Sequence, residues 1–417
     1  MKIAIVADPH LNDNTYFEIK DKVHTHLPFR TIDAMKAFEF IVDKAISEKV
    51  EAFVNLGDTF DSPNPHNDVS AFFNAQMKKL VNANIQVFVI IGNHDAAKKH
   101  HALKPIRELN VINVIDTPLI ISDKIKEHVL FFFPHSMDIE HGVISQKQAF
   151  FDFAKAINEG NYSGKKIFFG HIGLNGASVN QYVDKSIVNM LDYSSVRRMK
   201  KKNFYDSDSD KVSVGDLDLL SVDYIFLGDY HRHQKLPTKN SESMYVGSIE
   251  RTDFNEIGQK KGFVIYDSEA VDKKDVVVFH EYRECRKFVE LIGSFNDIKE
   301  AAKKINVADN KHAVVKLTFH GTNLEYIEFS KKYDKIKDWI IKNIEPVHFI
   351  FDRKIISEIK RITLDETSEN SGDLKDDGDM VINVVFGLID EVEKVDAEKA
   401  ILKDLAASVY KEVIGVK

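Results

Sequence analysis

Five short clusters of acids, amides and imidazoles recur in order along the chain. They are Asp8 with His10 in A-D-P-H, Gly57-Asp58-Thr59-Phe60-Asp61, Gly92-Asn93-His94-Asp95, Gly170-His171, and Gly228-Asp229-Tyr230-His231. Carboxylate, amide and imidazole together are a ligand set for Mn2+, Fe2+ or Zn2+. The one cysteine, Cys285, excludes a thiolate cluster and an internal disulfide framework. Each cluster alone has a bland reading: D-x-H recurs by chance, G-D is an ordinary turn dipeptide, and a single histidine such as His171 is more often structural. Five in order, each directly after an apolar run, ask that chance to repeat itself five times.

Those runs are the elements that must position the clusters. Residues 2–7, 51–56, 86–91, 128–133, 165–169 and 223–227 read as buried strands, and segments 31–48 and 66–84 carry apolar stripes at helical spacing between them. The alternation predicts an α/β (α+β) fold. In such a fold the carboxyl ends of the strands gather along one edge, where the clusters would meet. Glycine before the liganding residue lets the backbone turn sharply into a shared cleft.

The 417 residues, 43% hydrophobic and 29% charged, are ordinary for a globular protein of two or three domains. No apolar run approaches the ~18 residues of a membrane span, and the apolar start is too short for a signal peptide, so a cytoplasmic protein is expected. With 57 Lys and Arg against 65 Asp and Glu, the net charge is −8, which taken alone argues against a nucleic-acid partner. Residues 365–379 hold seven acids and one lysine, however, so most of the excess sits in one polar segment.

The series D-x-H, G-D-x-x-D, G-N-H-D, G-H and G-x-x-H resembles the calcineurin-like metallophosphoesterases. The resemblance implies a β-sandwich flanked by helices with two divalent cations at one edge. It assigns Asp8, His10, Asp58 and His231 to the first ion, and Asn93, His171 and Asp229 to the second, with Asp58 shared. His94 matches the family's catalytic histidine. One departure stands out: the fifth motif usually reads G-H-x-H, and Asp229 occupies the first histidine's place. An oxygen ligand there favours a harder ion such as Mn2+. An alternative register would use His231 and His233 of H-R-H.

The segment Tyr245-Val246-Gly247-Ser248-Ile249-Glu250-Arg251-Thr252-Asp253-Phe254-Asn255-Glu256, followed by Lys260-Lys261-Gly262-Phe263, is similar to the corresponding stretch of SbcD-type nucleases. That resemblance implies an Mn2+-dependent DNA nuclease, 3′-5′ on ends and endonucleolytic on single strands and hairpins. It also implies an SbcC-like coiled-coil ATPase partner and a homodimer within a heterotetramer. The domains would be a nuclease domain over 1–270, a capping domain shaping the DNA path over 271–355, an acidic linker over 356–379, and a helical partner-docking segment over 380–417. The stripe in 66–84 is a candidate dimer surface or a core helix. Candidate phosphate contacts are Lys98 and Lys99, Arg197 and Arg198 at the head of a basic run to Lys202, Arg251, and Lys260 with Lys261. Asp61 is expected to orient its loop, and His24, His26, His135 and His141 to be structural or surface residues. A small-molecule phosphodiesterase or phosphatase, and a weakly catalytic scaffold, remain the alternatives.

Overall fold

Strands of β-branched and aromatic residues send alternate side chains to opposite faces, so a strand covered on both sides reads as a continuous apolar run. The structure is a computed structural model that describes residues 1–12, 19–20, 26–97, 100–108, 111–122, 127–177 and 211–355. The chain divides into two units, Met1–Ser357 and Glu358–Lys417, and every described residue belongs to the first. Lys98, Lys99, Arg197, Arg198, the acidic segment from 356 to 379 and the segment 380–417 lie outside the described residues.

In the first sheet β1 (Lys2–Val6), β2 (Ala52–Asn55), β3 (Gln86–Ile90) and β4 (Asn113–Ile115) run parallel, in that order. Beyond β1, β11 (Gly262–Asp267) and β12 (Val277–Glu281) add antiparallel. In the second sheet β6 (His128–Phe133), β7 (Lys165–His171), β8 (Tyr224–Gly228) and β10 (Glu242–Tyr245) run parallel. Its edges, β5 (Leu119–Ile121) and β9 (Gln234–Leu236), are antiparallel. The two sheets face each other through Ile3, Ile5, Val54, Phe88 and Ile90 on one side and Leu130, Phe132, Ile167, Phe169 and Phe226 on the other. Phe132 stacks on Phe88 at 5.1 Å and on Phe169 at 5.3 Å. Truncating it to alanine should cost about 3–5 kcal/mol, because the rings around it cannot collapse into the void.

The alternate residues point outward. Ala4, Val6, Phe53 and Val87 pack under α1 (Phe29–Ser47) and α2 (Asn67–Asn82); Phe131, Phe133 and Phe168 pack under α3 (Gln146–Glu159). α2 starts below His66, whose Nδ1 accepts the Asp68 N–H at 3.2 Å. The stripe of α2 faces this core: Val69, Phe73, Met77 and Leu80 are buried. It packs as a core helix, with Phe72 and Val81 of the same stripe partly buried at its margin.

A third, all-parallel sheet joins β13 (Phe288–Gly293), β14 (Val314–Gly321) and β15 (His348–Ile355). One face is covered by α4 (Phe295–Lys303) and α5 (Asn323–Ile344) through Leu291, Val315, Leu317, Phe319, Phe329 and Ile340. Capping boxes at Ser294 with Asp297 and Thr322 with Glu325 start those helices. The opposite face sets Phe288 and Val314 against Phe29 of α1 and against Phe254 and Ile257. Within the span 271–355 expected for the capping domain, residues 277–281 instead form β12, the outer strand of the first sheet. Its partner is distant neither in sequence nor in space, but only the ladder to β11 reveals which sheet it extends. Among the described residues, no helix is long and apolar enough to cross a membrane.

Candidate metal centre

β1, β2, β3, β7 and β8 are parallel within their sheets, and each ends beside the same cleft. Asp8 and His10 follow β1, Asp58 follows β2, Asn93 and His94 follow β3, His171 ends β7, and Asp229 and His231 follow β8. Four of these residues have left-handed backbone: Asp8 (φ 48°), His10 (φ 44°), Asp58 (φ 48°) and Asp229 (φ 98°). Such backbone costs on the order of 1–3 kcal/mol at a residue with a Cβ and persists only where the surroundings impose it. Here the surroundings are hydrogen bonds between strand ends. Asp8 N–H donates to Gly57 O at 3.2 Å, His10 N–H to Asp58 O at 3.0 Å, and Asp229 N–H to Asp8 Oδ1 at 2.9 Å. Glycine is needed where the strand ends crowd. A Cβ on Gly57 would lie 2.6 Å from His171 Nδ1, and one on Gly92 would lie 2.2 Å from Asp58 N.

Two pairs of lone pairs face one another across the cleft. His171 donates from Nδ1 to the Leu56 carbonyl at 2.8 Å, which leaves Nε2 directed at Asn93 Oδ1, 2.9 Å away, and Asp58 Oδ1, 3.4 Å away. Asp229 Oδ1 lies 3.8 Å from the same nitrogen. His231 donates from Nδ1 to Glu256 Oε1 at 2.8 Å, so its Nε2 faces His10 Nε2 at 3.0 Å. Asp8 Oδ2 is buried with no hydrogen-bond partner. His10 Nε2 lies 3.7 Å from Asp58 Oδ2, and Asp8, His10 and Asp58 together could hold an ion. Acceptors converging on acceptors are a cradle for positive charge. The donor set of oxygens and imidazole nitrogens suits a divalent cation of the Mn2+, Fe2+ or Zn2+ kind.

The electrostatics agree. Burial by itself would lower His10, but the Asp61 hydrogen bond and the Asp58 and Asp8 charges outweigh it and raise the imidazole to about 9. His171 likewise is raised to about 9, against burial, by Asp58, Asp229 and Asp8. Without a cation, protons take its place. Burial pushes the Asp229 carboxyl up, helped by Asp8 and Asp58 and opposed by His171.

The mouth of the cleft is formed by His94, whose side chain is 45% exposed, and by the partly exposed Asp229 and His231. His94 meets His10 edge-on at 4.9 Å, its N–H donates to Asp58 Oδ1 at 2.9 Å, and its Nδ1 lies 3.3 Å from the Asp61 carbonyl. Asp61 also places Oδ1 3.3 Å from His10 Nδ1. His233 is engaged elsewhere: it stacks on Phe279 at 4.1 Å, and its Nδ1 lies 3.1 Å from the Tyr245 and Val246 carbonyls.

Several residues outside the expected ligand set support the centre. Asp95 accepts the N–H groups of Thr59, Phe60 and Gly92 at 3.0–3.1 Å, and burial together with Asp58 raises it to about 6. The Tyr245 hydroxyl donates to Ile172 O at 2.7 Å and accepts the Leu174 N–H at 3.1 Å, bracing the loop after His171. His135, taken as structural or surface, follows β6; its N–H donates to Ile91 O at 2.9 Å and its Nε2 lies 3.2 Å from Glu140. Two expected phosphate contacts are corrected. Arg251 is 9% exposed, and its guanidinium donates to the carbonyls of Gln259 and Arg286. Lys261 is 1% exposed and pairs with Glu256 at 2.9 Å. Both are held inside by local acceptors and cannot reach a ligand without unfolding their loop. The only advance signal was the density of charge in the 250–261 segment.

A family profile for the calcineurin-like phosphoesterases matches residues 1–233. Over 390 residues the chain is 23% identical to the DNA double-strand break repair protein Mre11 of Methanosarcina mazei, covering 88% of this chain and 55% of that protein. The chain thus spans about half the length of that relative. It is 24% identical over 383 residues to the protein of the same name from Methanococcus maripaludis, covering 85% and 90%. Among solved structures, a dimetal phosphatase from Danio rerio aligns with a TM-score of 0.38 at 12% identity, over 64% of this chain and 91% of that one. The profile covers more than half of the 417 residues, and the chain belongs to the calcineurin-like phosphoesterases.

Proposed function

We propose that this protein is the nuclease subunit of a two-component DNA end-processing assembly and hydrolyses phosphodiester bonds with two divalent cations, Mn2+ in the first place. The observation that carries the reading is the meeting of five strand ends, with acceptors facing acceptors, in a chain similar to archaeal Mre11 proteins over most of its length. Asp8, His10, Asp58 and His231 hold one ion; Asn93, His171 and Asp229 hold the other, and Asp58 serves both. When bound, the cations supply Lewis acidity toward the phosphodiester oxygens and activate the attacking water.

The chain's own residues do the rest. The Leu56 carbonyl and the Glu256 carboxylate fix the tautomers of His171 and His231, so that each keeps Nε2 free of a proton. His94 keeps Nδ1–H on the Asp61 carbonyl and carries at Nε2 the proton that the departing sugar oxygen takes up. The oxygen of Asp229, in place of an imidazole, favours Mn2+ over softer ions.

The small unit built on β13, β14 and β15 caps the DNA path. Residues 380–417, joined through the acidic segment, dock on an SbcC-like coiled-coil ATPase, and two copies assemble as a homodimer within a heterotetramer. Concentrating negative charge in residues 365–379 leaves the catalytic body near neutral, so phosphate can approach once the cations are present.

The test is a substrate comparison. With Mn2+, the protein should shorten linear DNA from its ends and open hairpins, faster with the ATPase present. Turnover of cyclic or mononucleotides with DNA left intact would overturn the nuclease reading in favour of a small-molecule phosphodiesterase. Truncation before Met380 should abolish co-purification with the ATPase; unchanged association would remove the docking assignment.

A further inference from the structure

The short turn Phe254–Glu256 faces two ways. Inward, Glu256 is fully buried and accepts the His231 Nδ1–H at 2.8 Å. Its other partners close round it. Thr252 donates from its hydroxyl at 2.9 Å and from its N–H at 2.8 Å, and Lys261 Nζ stands 2.9 Å away while also donating to the His231 carbonyl at 3.0 Å. Outward, Phe254 meets Phe288 of β13 edge-on at 4.9 Å, and Lys316 of β14 lies 5.6 Å over its ring. Ile257 packs into the same cluster as Phe29, Phe288 and Val314. The flanks of the turn are pinned as well, because Arg251 donates to Arg286 O and Arg286 donates to His312 O at 3.0 Å, just before β14.

We propose that Glu256 is a positioning residue for the metal-holding edge of His231, and that the small sheet keeps it in place by gripping Phe254 and Ile257. The inference rests on the assignment of His231 as a ligand under Proposed function. A carboxylate on Nδ1–H fixes the tautomer and aims Nε2 into the cleft, and loss of such a partner typically weakens metal binding about 10–100-fold. Because Phe254 and Glu256 belong to one three-residue turn, a shift of the small sheet that tilts the ring also tilts the carboxylate. Ion affinity at the first site therefore depends on how the small sheet is seated. A purely structural ion pair would need Lys261 and Glu256 alone, with no imidazole at 2.8 Å.

The experiment measures Mn2+ binding to the full chain by titration calorimetry and electron paramagnetic resonance, with melting temperature as a check on folding. His231→Ala defines which of two ions belongs to the first site. Glu256→Gln combined with Lys261→Met removes the pair without stranding a buried charge. It should weaken that ion by about 10–100-fold and leave the other unchanged. Phe254→Ala should weaken the same ion by roughly threefold to tenfold, and adding it to the pair variant should cause no further loss. Should the pair variant not fold, Glu256→Asp, which keeps the charge and withdraws it by one methylene, takes its place with the same expectation. A folded pair variant, or Glu256→Asp, that binds both ions within about twofold of wild type overturns the positioning role. An effect of Phe254→Ala that adds in full, or falls equally on both ions, overturns the dependence on the small sheet. If His231→Ala keeps both ions, the ligand assignment itself fails, a distinct result that removes the inference with it.

Discussion

His10 and His231 turn their Nδ1 atoms toward side-chain carboxylates, Asp61 at 3.3 Å and Glu256 at 2.8 Å, whereas His171 donates from Nδ1 to the backbone carbonyl of Leu56 at 2.8 Å. One half of the centre is oriented by groups that a single substitution can remove. The other is oriented by the end of β2, which exists wherever the first sheet does. The first half also leans on the turn beneath the small sheet; the second is braced by Tyr245 and Asn93 within the sandwich. The contrast teaches that the first site can be tuned from outside the sandwich. Under the proposed function the second leans on the sandwich itself, and Asp229 is its proposed ligand that departs from the family pattern.

The sharpest way to break the contrast is the group common to both halves. Asp58→Asn should lower hydrolysis to the background seen without added metal, since both ions lose a shared ligand; retention of one tightly held ion would separate the halves. Next, His94→Ala should slow hydrolysis by about 10²–10⁴-fold while both ions still bind. Loss of an ion in that variant would make His94 a ligand instead.

Asp229→His should act on the second half alone. It should raise the activity ratio with Zn2+ over Mn2+ by roughly tenfold, because imidazole is the softer donor. Equal activation by Mn2+ and no gain with Zn2+ would show that position 229 does not touch the ion.

Acidity probes both halves at once. His10 and His171 are raised to about 9 in the ion-free fold, from an ordinary 6.5. A folded value above the unfolded one adds stability that is complete below pH 6.5 and is lost as pH climbs through 9. Over the same window those imidazoles release the protons that compete with a cation. The gain in melting temperature on adding Mn2+ should therefore grow from pH 6.5 toward 9, and a gain that shrinks would contradict the assignment. The smallest effect belongs to Tyr245→Phe. Removing its hydroxyl leaves the Leu174 N–H unpaired and should cost about 1–3 kcal/mol of stability, with a slight weakening of the second ion only.

The centre was legible because its members recur at a fixed place, directly after apolar runs, and strand ends are where an α/β sheet gathers side chains. The fold class followed from the same runs. What escaped was whatever depends on partners far along the chain. Lys261 beside Lys260 looks solvated, and nothing local announces that Glu256 has turned inward five residues earlier to meet it and His231 together. The burial of Arg251 is hidden in the same way, because carbonyl acceptors leave no mark in a sequence. The left-handed backbone at Asp8, His10 and Asp58 is equally silent, being imposed by neighbouring strand ends rather than by residue type. α1 begins at Phe29, two residues before its stripe suggested, because Pro28 sets the entry and Phe29 is held by the small sheet.

The central claim is that one cleft holds two ions through a shared carboxylate. Equilibrium Mn2+ binding to the wild-type chain and to Asp58→Asn, each verified as folded, tests it most directly. The account predicts two ions on the wild type and a marked weakening of both in Asp58→Asn. A single ion on the wild type, or a variant that loses one ion and keeps the other at full affinity, would contradict it.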